Sequence, residues 1–228
     1  MATLYLVATP IGNLHDISFR ALDILFKANI ILAEDTRKTN RLLNFYSTRI
    51  NKSLSGQLVS FYEENEDEKI PLIINWLKEG KDVALVSNAG TPLISDPGYK
   101  LVRRCIKEEI KVVSIPGPCA LINALVISGF PVERFLFLGF LPKKKGKRKT
   151  LFETLKKIPK TTIVGLESPF RIKKTLFDLR EVFGNMEIVI ARELTKKYEE
   201  VKREKINELL LGWENKKIRG ELVILFRV

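Results

Sequence analysis

An α/β protein of two domains, the first built around a parallel-rich five-stranded sheet, is predicted by three features of the sequence. Five short apolar runs alternate with helix-length amphipathic segments through the first half. That alternation is the pattern of a mostly parallel sheet covered by helices on both faces. At Gly129-Phe130-Pro131 the pattern changes, and a second α/β set, read as a mixed sheet, follows with a very different charge balance. The junction is expected within 115–130, and the two domains are taken as 1–117 and 118–228.

In chain order, Leu4–Ala8, Ile30–Ala33, Leu58–Phe61, Val83–Ser87 and Val112–Ile115 read as strands, each too short for a helix and bounded by polar or turn residues. Between them, Ile17–Lys27 places Leu22, Leu25 and Phe26 on one helical face, with Asp16 as the expected N-cap. Glu68–Lys78 carries Ile70, Ile73, Ile74 and Leu77 and stops at Gly80, and Tyr99–Glu108 and Cys119–Ser128 complete the first set. The second half reads as strand Phe135–Phe140, helix 150–157, strand Thr162–Leu166, helix Arg171–Phe183 and strand Ile188–Ala191. A charged extended segment Thr195–Lys205, helix Ile206–Trp213 and strand Glu221–Val228 close the chain.

Composition narrows the function classes. The 228 residues are 45% hydrophobic and 29% charged, ordinary for a folded chain, and no apolar stretch approaches the ~18 residues of a membrane span. Met1–Ala8 enters a strand directly, without the pattern of a secretory leader, so a cytoplasmic location is expected. Two cysteines and a single histidine, His15, provide neither a metal cluster nor a histidine-based triad, so no metal is assigned. Residues 1–142 carry 16 basic and 15 acidic side chains, whereas 143–228 carry 23 and 12, so nearly all of the +12 net charge lies in the second half. The densest run, Lys143-Lys144-Lys145-Gly146-Lys147-Arg148-Lys149, is expected to be an exposed basic loop that meets a polyanion.

The loops after the strands are where chemistry is expected, because ligands of open α/β sheets bind beyond the carboxyl ends of the strands. Ala8-Thr9-Pro10-Ile11-Gly12-Asn13-Leu14 lacks the spaced glycines of a dinucleotide or P-loop cradle. Ala33-Glu34-Asp35-Thr36-Arg37-Lys38-Thr39 offers carboxylates, cations and hydroxyls at a strand mouth, either a polar substrate site or a capped helix start. Ser87–Gly98 is a long loop of small residues with two prolines that restrict its backbone, and Pro116-Gly117-Pro118-Cys119-Ala120 is a second tight turn opening a helix. Cys119 reads as a packing residue rather than a nucleophile, having no second histidine to pair with.

These segments, together with Leu166-Glu167-Ser168-Pro169-Phe170-Arg171 and Ala191-Arg192-Glu193-Leu194-Thr195, resemble in order the tetrapyrrole methylase superfamily, most closely its ribosomal RNA branch. The resemblance covers almost the whole chain. It implies a two-domain methyltransferase, usually a homodimer, that binds S-adenosylmethionine in a cleft between domains and methylates a cytidine ribose 2′-hydroxyl of 16S ribosomal RNA, naked or in the small subunit. By motif, it implies cofactor contacts from Thr9, Pro10, Ile11, Gly90, Thr91, Ile94, Pro118, Cys119 and Ala120, and from Ser168, Ala191, Gly220 and Glu221 of the second domain. Members of this branch often carry a C-terminal extension of some tens of residues, and the 143–149 run is the candidate replacement for its share of substrate binding.

Methyl transfer to a hydroxyl requires alignment and removal of one proton, and alignment alone can supply ~7–11 kcal/mol in ideal cases. Asp35 or Glu167 is the expected proton acceptor, with Arg37, Arg192 or Lys38 holding a flanking phosphate, and Lys38, Lys143, Lys144, Lys145, Lys147, Arg148 and Lys149 as RNA contacts; the alternative for Glu167 and Arg171 is an ion pair at the start of the following helix, and for Arg192 and Glu193 a local surface pair. Two alternatives stand beside this reading: methylation of a corrin or porphyrin carbon, and a non-catalytic RNA-binding assembly factor, which has no need of the loops at 87–98 and 116–120.

Overall fold

The computed structural model describes residues 2–228 as two compact units, 2–119 and 120–228. In the first, β1 (Thr3–Val7), β2 (Ile30–Ala33), β3 (Gln57–Ser60), β4 (Val83–Val86) and β5 (Lys111–Ile115) form an all-parallel sheet of order β3-β2-β4-β1-β5. The strands alternate between two buried faces. Leu4, Ile30, Leu32, Val83 and Leu85 pack under α3 (Glu66–Lys78) and α4 (Tyr99–Lys107). Val7, Ile31, Ala33, Ala84 and Val86 pack under α1 (Phe19–Lys27) and α2 (Thr36–Ile50). A strand covered on both sides must be apolar at every position, which is why these runs are legible without a polar alternation.

Three local readings are corrected. The N-cap of α1 is Ser18, whose hydroxyl accepts the Ala21 N–H at 3.0 Å, and Asp16 belongs to a preceding single 3-10 turn. The helix α2 extends for 15 residues past the capped start at Asp35, yet buries only Thr39, Leu43 and Tyr46, so its polar sequence hides it. The division between units falls after Cys119 rather than Gly117, because the Thr91 hydroxyl donates to the Pro118 carbonyl at 3.0 Å and ties that residue to the first unit.

The second unit begins with α5 (Ala120–Val126) and holds a mixed sheet of order β6-β7-β10-β8-β9. Its strands are β6 (Phe135–Phe140), β7 (Thr162–Glu167), β8 (Glu187–Arg192), β9 (Glu200–Lys205) and β10 (Leu222–Arg227), and only β6 and β7 run parallel. One face, with Ile163, Ile188, Ile190, Ile224 and Phe226, packs on α6 (Lys145–Leu155), α7 (Ile172–Phe183) and α8 (Ile206–Gly212).

The expected basic loop is not a loop. Residues 145–149 are the opening of α6, and Arg148 is 3% exposed. Its guanidinium meets the equally buried Asp178 of α7, with Nε donating to Oδ2 at 2.8 Å, and Nη1 donates to the Pro142 and Lys143 carbonyls at 2.9 and 3.3 Å. A buried cation is tolerated only where such partners replace its water. Lys145 and Lys149 reach Glu181 on the next helix. Arg148→Ala leaves Asp178 without its buried partner and is expected to cost about 3–5 kcal/mol in urea unfolding, whereas exposed Lys147→Ala should cost about 0.5 kcal/mol or less.

Candidate active site

At the carboxyl end of the first sheet, the loops after β1, β4 and β5 are bonded to one another. Thr9 and Gly90 form an isolated antiparallel bridge, each N–H donating to the other's carbonyl at 2.9 Å, and Thr91 reaches Pro118. The Gly90 backbone is left-handed at φ +83°, and a Cβ there would press on Ile11 at 3.2 Å. The long loop is strained beyond its glycines, with Leu93 at φ 71° and Ser95 at φ 69°, conformations that cost non-glycine residues energy and gather at functional sites. Its far end is anchored by buried Glu66, which accepts the Gly98 N–H at 3.1 Å at the start of α4. Side chains are excluded at Gly98: φ is +128°, and a Cβ would lie 2.7 Å from Leu85 and 2.9 Å from Leu93.

Two buried polar atoms within this loop cluster, Thr9 Oγ1 and Asn88 Oδ1, have no hydrogen-bond partner. Buried polar atoms without partners are rare in folded chains and commonly mark where a ligand completes the set. Beside them is an open recess of about 190 Å³ lined by Pro10, Gly12, Leu14, Lys38, Thr39, Leu42, Ser87 and Asn88. It is smaller than the ~300–1,000 Å³ usual for a small-molecule site.

The carboxylates at this mouth differ in character. Asp35 caps α2 by accepting the Arg37 N–H at 3.0 Å, and its two oxygens accept from Arg37 Nε and Nη2, both at 3.2 Å. That side-chain bond holds the Asp35 carboxyl below the usual range, while the Arg37 side chain remains 85% exposed. Asp96 is the residue that motif reading passed over. Burial and then the charge of Glu34 push its carboxyl up to about 6, against a hydrogen bond with Ser87 that favours the ion. Nothing local in Ser95-Asp96-Pro97 announces this, because Glu34 arrives from the loop that follows β2.

In the second unit, the other expected residues gather at one end of the mixed sheet. Leu222 pairs with Glu167 on one side and Arg192 on the other, so Glu167, Ser168, Ala191, Arg192, Gly220 and Glu221 share that edge. Glu193 sits there at φ 50° and accepts the Glu221 N–H and the Lys196 ammonium, both at 2.9 Å. Gly220 makes room for it: a Cβ would lie 2.4 Å from Glu193 Cγ. Arg192 is paired with Glu200 at 2.9 Å.

Glu167 does not fit the expected role of proton acceptor. Its side chain is fully buried and takes hydrogen bonds from the Ser168 N–H, the Thr175 hydroxyl and Arg171, the last at 2.6 Å. It is a structural anion that fixes the start of α7. Among the residues expected to contact RNA, Arg148 is likewise internal, whereas Lys38 lines the recess.

The two-unit α/β architecture is shared with solved methyltransferase structures. A structure described as uroporphyrin-III C-methyltransferase from Thermus thermophilus complexed with S-adenyl homocysteine superposes with a TM-score of 0.66, at 17% identity over 98% of this chain and 97% of that one. The family described as Tetrapyrrole (Corrin/Porphyrin) Methylases matches residues 3–210, and the chain belongs to it. It is 49% identical to the ribosomal RNA small subunit methyltransferase I of Thermotoga maritima, over 99% of this chain and 98% of that one. The protein of the same name from Bacillus subtilis is 45% identical over 99% of this chain and 75% of its own length.

Asp96 carries a pH signature. Its folded pKa of about 6 lies above the ordinary 3.8, so its contribution to stability is fully present below pH 3.8 and is lost as pH rises through 6. Asp96→Asn is therefore expected to gain stability over the parent between pH 5 and pH 7.5, by about 1 kcal/mol after solvent screening of this half-buried group, in urea unfolding at the two pH values. An equal difference at both pH values would exclude this.

Proposed function

We propose that the chain transfers a methyl group from S-adenosylmethionine to the ribose 2′-hydroxyl of a cytidine in 16S ribosomal RNA, free or within the small subunit, as a homodimer. What carries the reading is similarity, over nearly the whole of this chain, to relatives that bear the ribosomal RNA methyltransferase name. The site chemistry is compatible with the cofactor, because Thr9 Oγ1 and Asn88 Oδ1 are buried and unpartnered beside the bridged loops. S-adenosylmethionine supplies, when bound, a methyl group activated by a positively charged sulfur.

The chain's own residues do the rest. Thr9, Pro10, Ile11, Gly90, Thr91, Ile94, Pro118 and Cys119 would hold the cofactor from the first unit, through backbone groups and small apolar surfaces. Ala120, Ser168, Ala191, Gly220 and Glu221 form the second set. The hydroxyl proton needs an acceptor, for which Asp35 and Asp96 are available, while the exposed Arg37 and Lys38 would hold a flanking phosphate.

The test is calorimetric titration with S-adenosylmethionine, then methylation of purified small subunits and of naked 16S RNA, with nucleosides analysed by mass spectrometry. Micromolar binding at about one site per chain and formation of 2′-O-methylcytidine are expected. A base-methylated nucleoside, or methylation of a corrin or porphyrin alone, would reject the assignment. Asp35→Ala should lower turnover by about 100-fold or more while the circular dichroism spectrum stays unchanged, if Asp35 takes the proton.

A further inference from the structure

In the second unit, two arginine–carboxylate pairs grip the same stretch of backbone from beneath. Arg171, held by buried Glu167, donates through Nη1 to the Leu141 carbonyl at 3.2 Å. Arg148, held by Asp178, donates to the Pro142 and Lys143 carbonyls. Three successive carbonyls, 141 to 143, are thus fixed by guanidinium groups whose own charges are matched within the fold. This clamp sorts the basic run. Arg148 is internal, and Lys145 and Lys149 are spent on Glu181. Lys143, Lys144 and Lys147 are exposed and, among the described residues, have no ion-pair partner.

Next to the clamped stretch are two aromatic rings left in solvent. Phe140 ends β6 at the sheet edge and is 62% exposed, and Phe170 follows β7 and is 80% exposed. Because β6 and β7 are parallel, with Phe140 opposite Leu166, both rings lie at the same end of the sheet. The Arg171–Leu141 hydrogen bond joins the residues next to them. Bare rings cost hydration free energy on a free surface, and their company here is cationic.

We propose that Phe140 and Phe170, with Lys143, Lys144 and Lys147, form a platform for a single-stranded RNA segment, the rings stacking unpaired bases and the three lysines following the backbone. The charge of the unit favours this occupant, since residues 120–228 carry 24 basic and 13 acidic side chains. Stacking on exposed aromatics within a cationic surface is the physics of single-strand binding, and paired bases present no such faces. The inference rests on the ribosomal RNA reading and adds to it the strand state of the RNA and the residues that sense it.

The experiment measures fluorescence anisotropy of a labelled 12-nucleotide single-stranded RNA of mixed sequence, and of the same sequence as a duplex, with the full-length protein across a salt series. Phe140→Ala and Phe170→Ala are each expected to weaken single-strand binding by about 5- to 150-fold with the salt slope unchanged. Phe170→Trp should restore it. Lys143→Gln/Lys144→Gln/Lys147→Gln should lower the slope of log affinity against log salt by about 2, whereas Lys145→Gln/Lys149→Gln should leave it nearly unchanged. Wild-type affinity in both phenylalanine variants, or an equal loss for duplex and single strand, overturns the proposal. So does a change in light-scattering mass with unchanged RNA affinity, which would make the patch a self-association face. If the variants bind RNA as the parent does while 2′-O-methylcytidine still forms, the platform fails and the proposed function stands. If the parent binds neither form of the RNA while 2′-O-methylcytidine still forms on the small subunit, the platform likewise fails and the proposed function stands.

Discussion

The reciprocal backbone hydrogen bonds between Thr9 and Gly90 are what the candidate active site depends on. They are possible because β1 lies between β4 and β5, so the loops leaving these strands emerge side by side although Gly90 lies 81 positions after Thr9. The bridge in turn requires a left-handed residue at 90, which glycine adopts without strain. Once it is formed, the Thr9 hydroxyl and the Asn88 amide oxygen are enclosed without partners of their own. The energetic cost of that enclosure is borne by the sheet below, whose strands are buried on both faces and cannot shift register without exposing apolar surface.

The second unit solves a different problem, that of carrying excess positive charge while still forming a core. It places carboxylates beneath selected arginines and leaves selected lysines outside. Asp178 and Glu167 are both almost wholly buried and both serve guanidinium groups, and those groups use their remaining N–H donors on backbone carbonyls. A planar guanidinium can satisfy a carboxylate and carbonyls at once, which an ammonium does less well. The division of 143–149 into inner and outer cations follows from this geometry, and it turns a charge count into a surface with defined free groups.

The loop chemistry is also graded by environment. Asp35 and Asp96 are both carboxylates near strand ends of the same sheet, yet one is stabilised as an anion by Arg37 and the other is pushed toward neutrality by burial and Glu34. Such separation shows how a fold gives two like groups different proton affinities through their surroundings alone.

What the sequence alone determined is whatever is local or periodic. Ile30–Ala33 and Val83–Val86 are readable as strands because every residue is apolar, and Phe135–Phe140 because its length and bounding turns exclude a helix. The family was legible because several long loop motifs occur in register. The tertiary structure decided what depends on partners distant in the chain. Arg148 looks solvated in its lysine-rich neighbourhood, and only Asp178, 30 residues away, makes its burial possible. For Glu167 the sequence offers both a reactive carboxylate and an ion pair with Arg171, and the choice is made by the complete burial that Arg171 and Thr175 satisfy. Asp96 looks unremarkable in its loop until β2 brings Glu34 beside it. Composition and spacing record which charges a chain has, whereas the dielectric and the neighbour that fix their state exist only after folding.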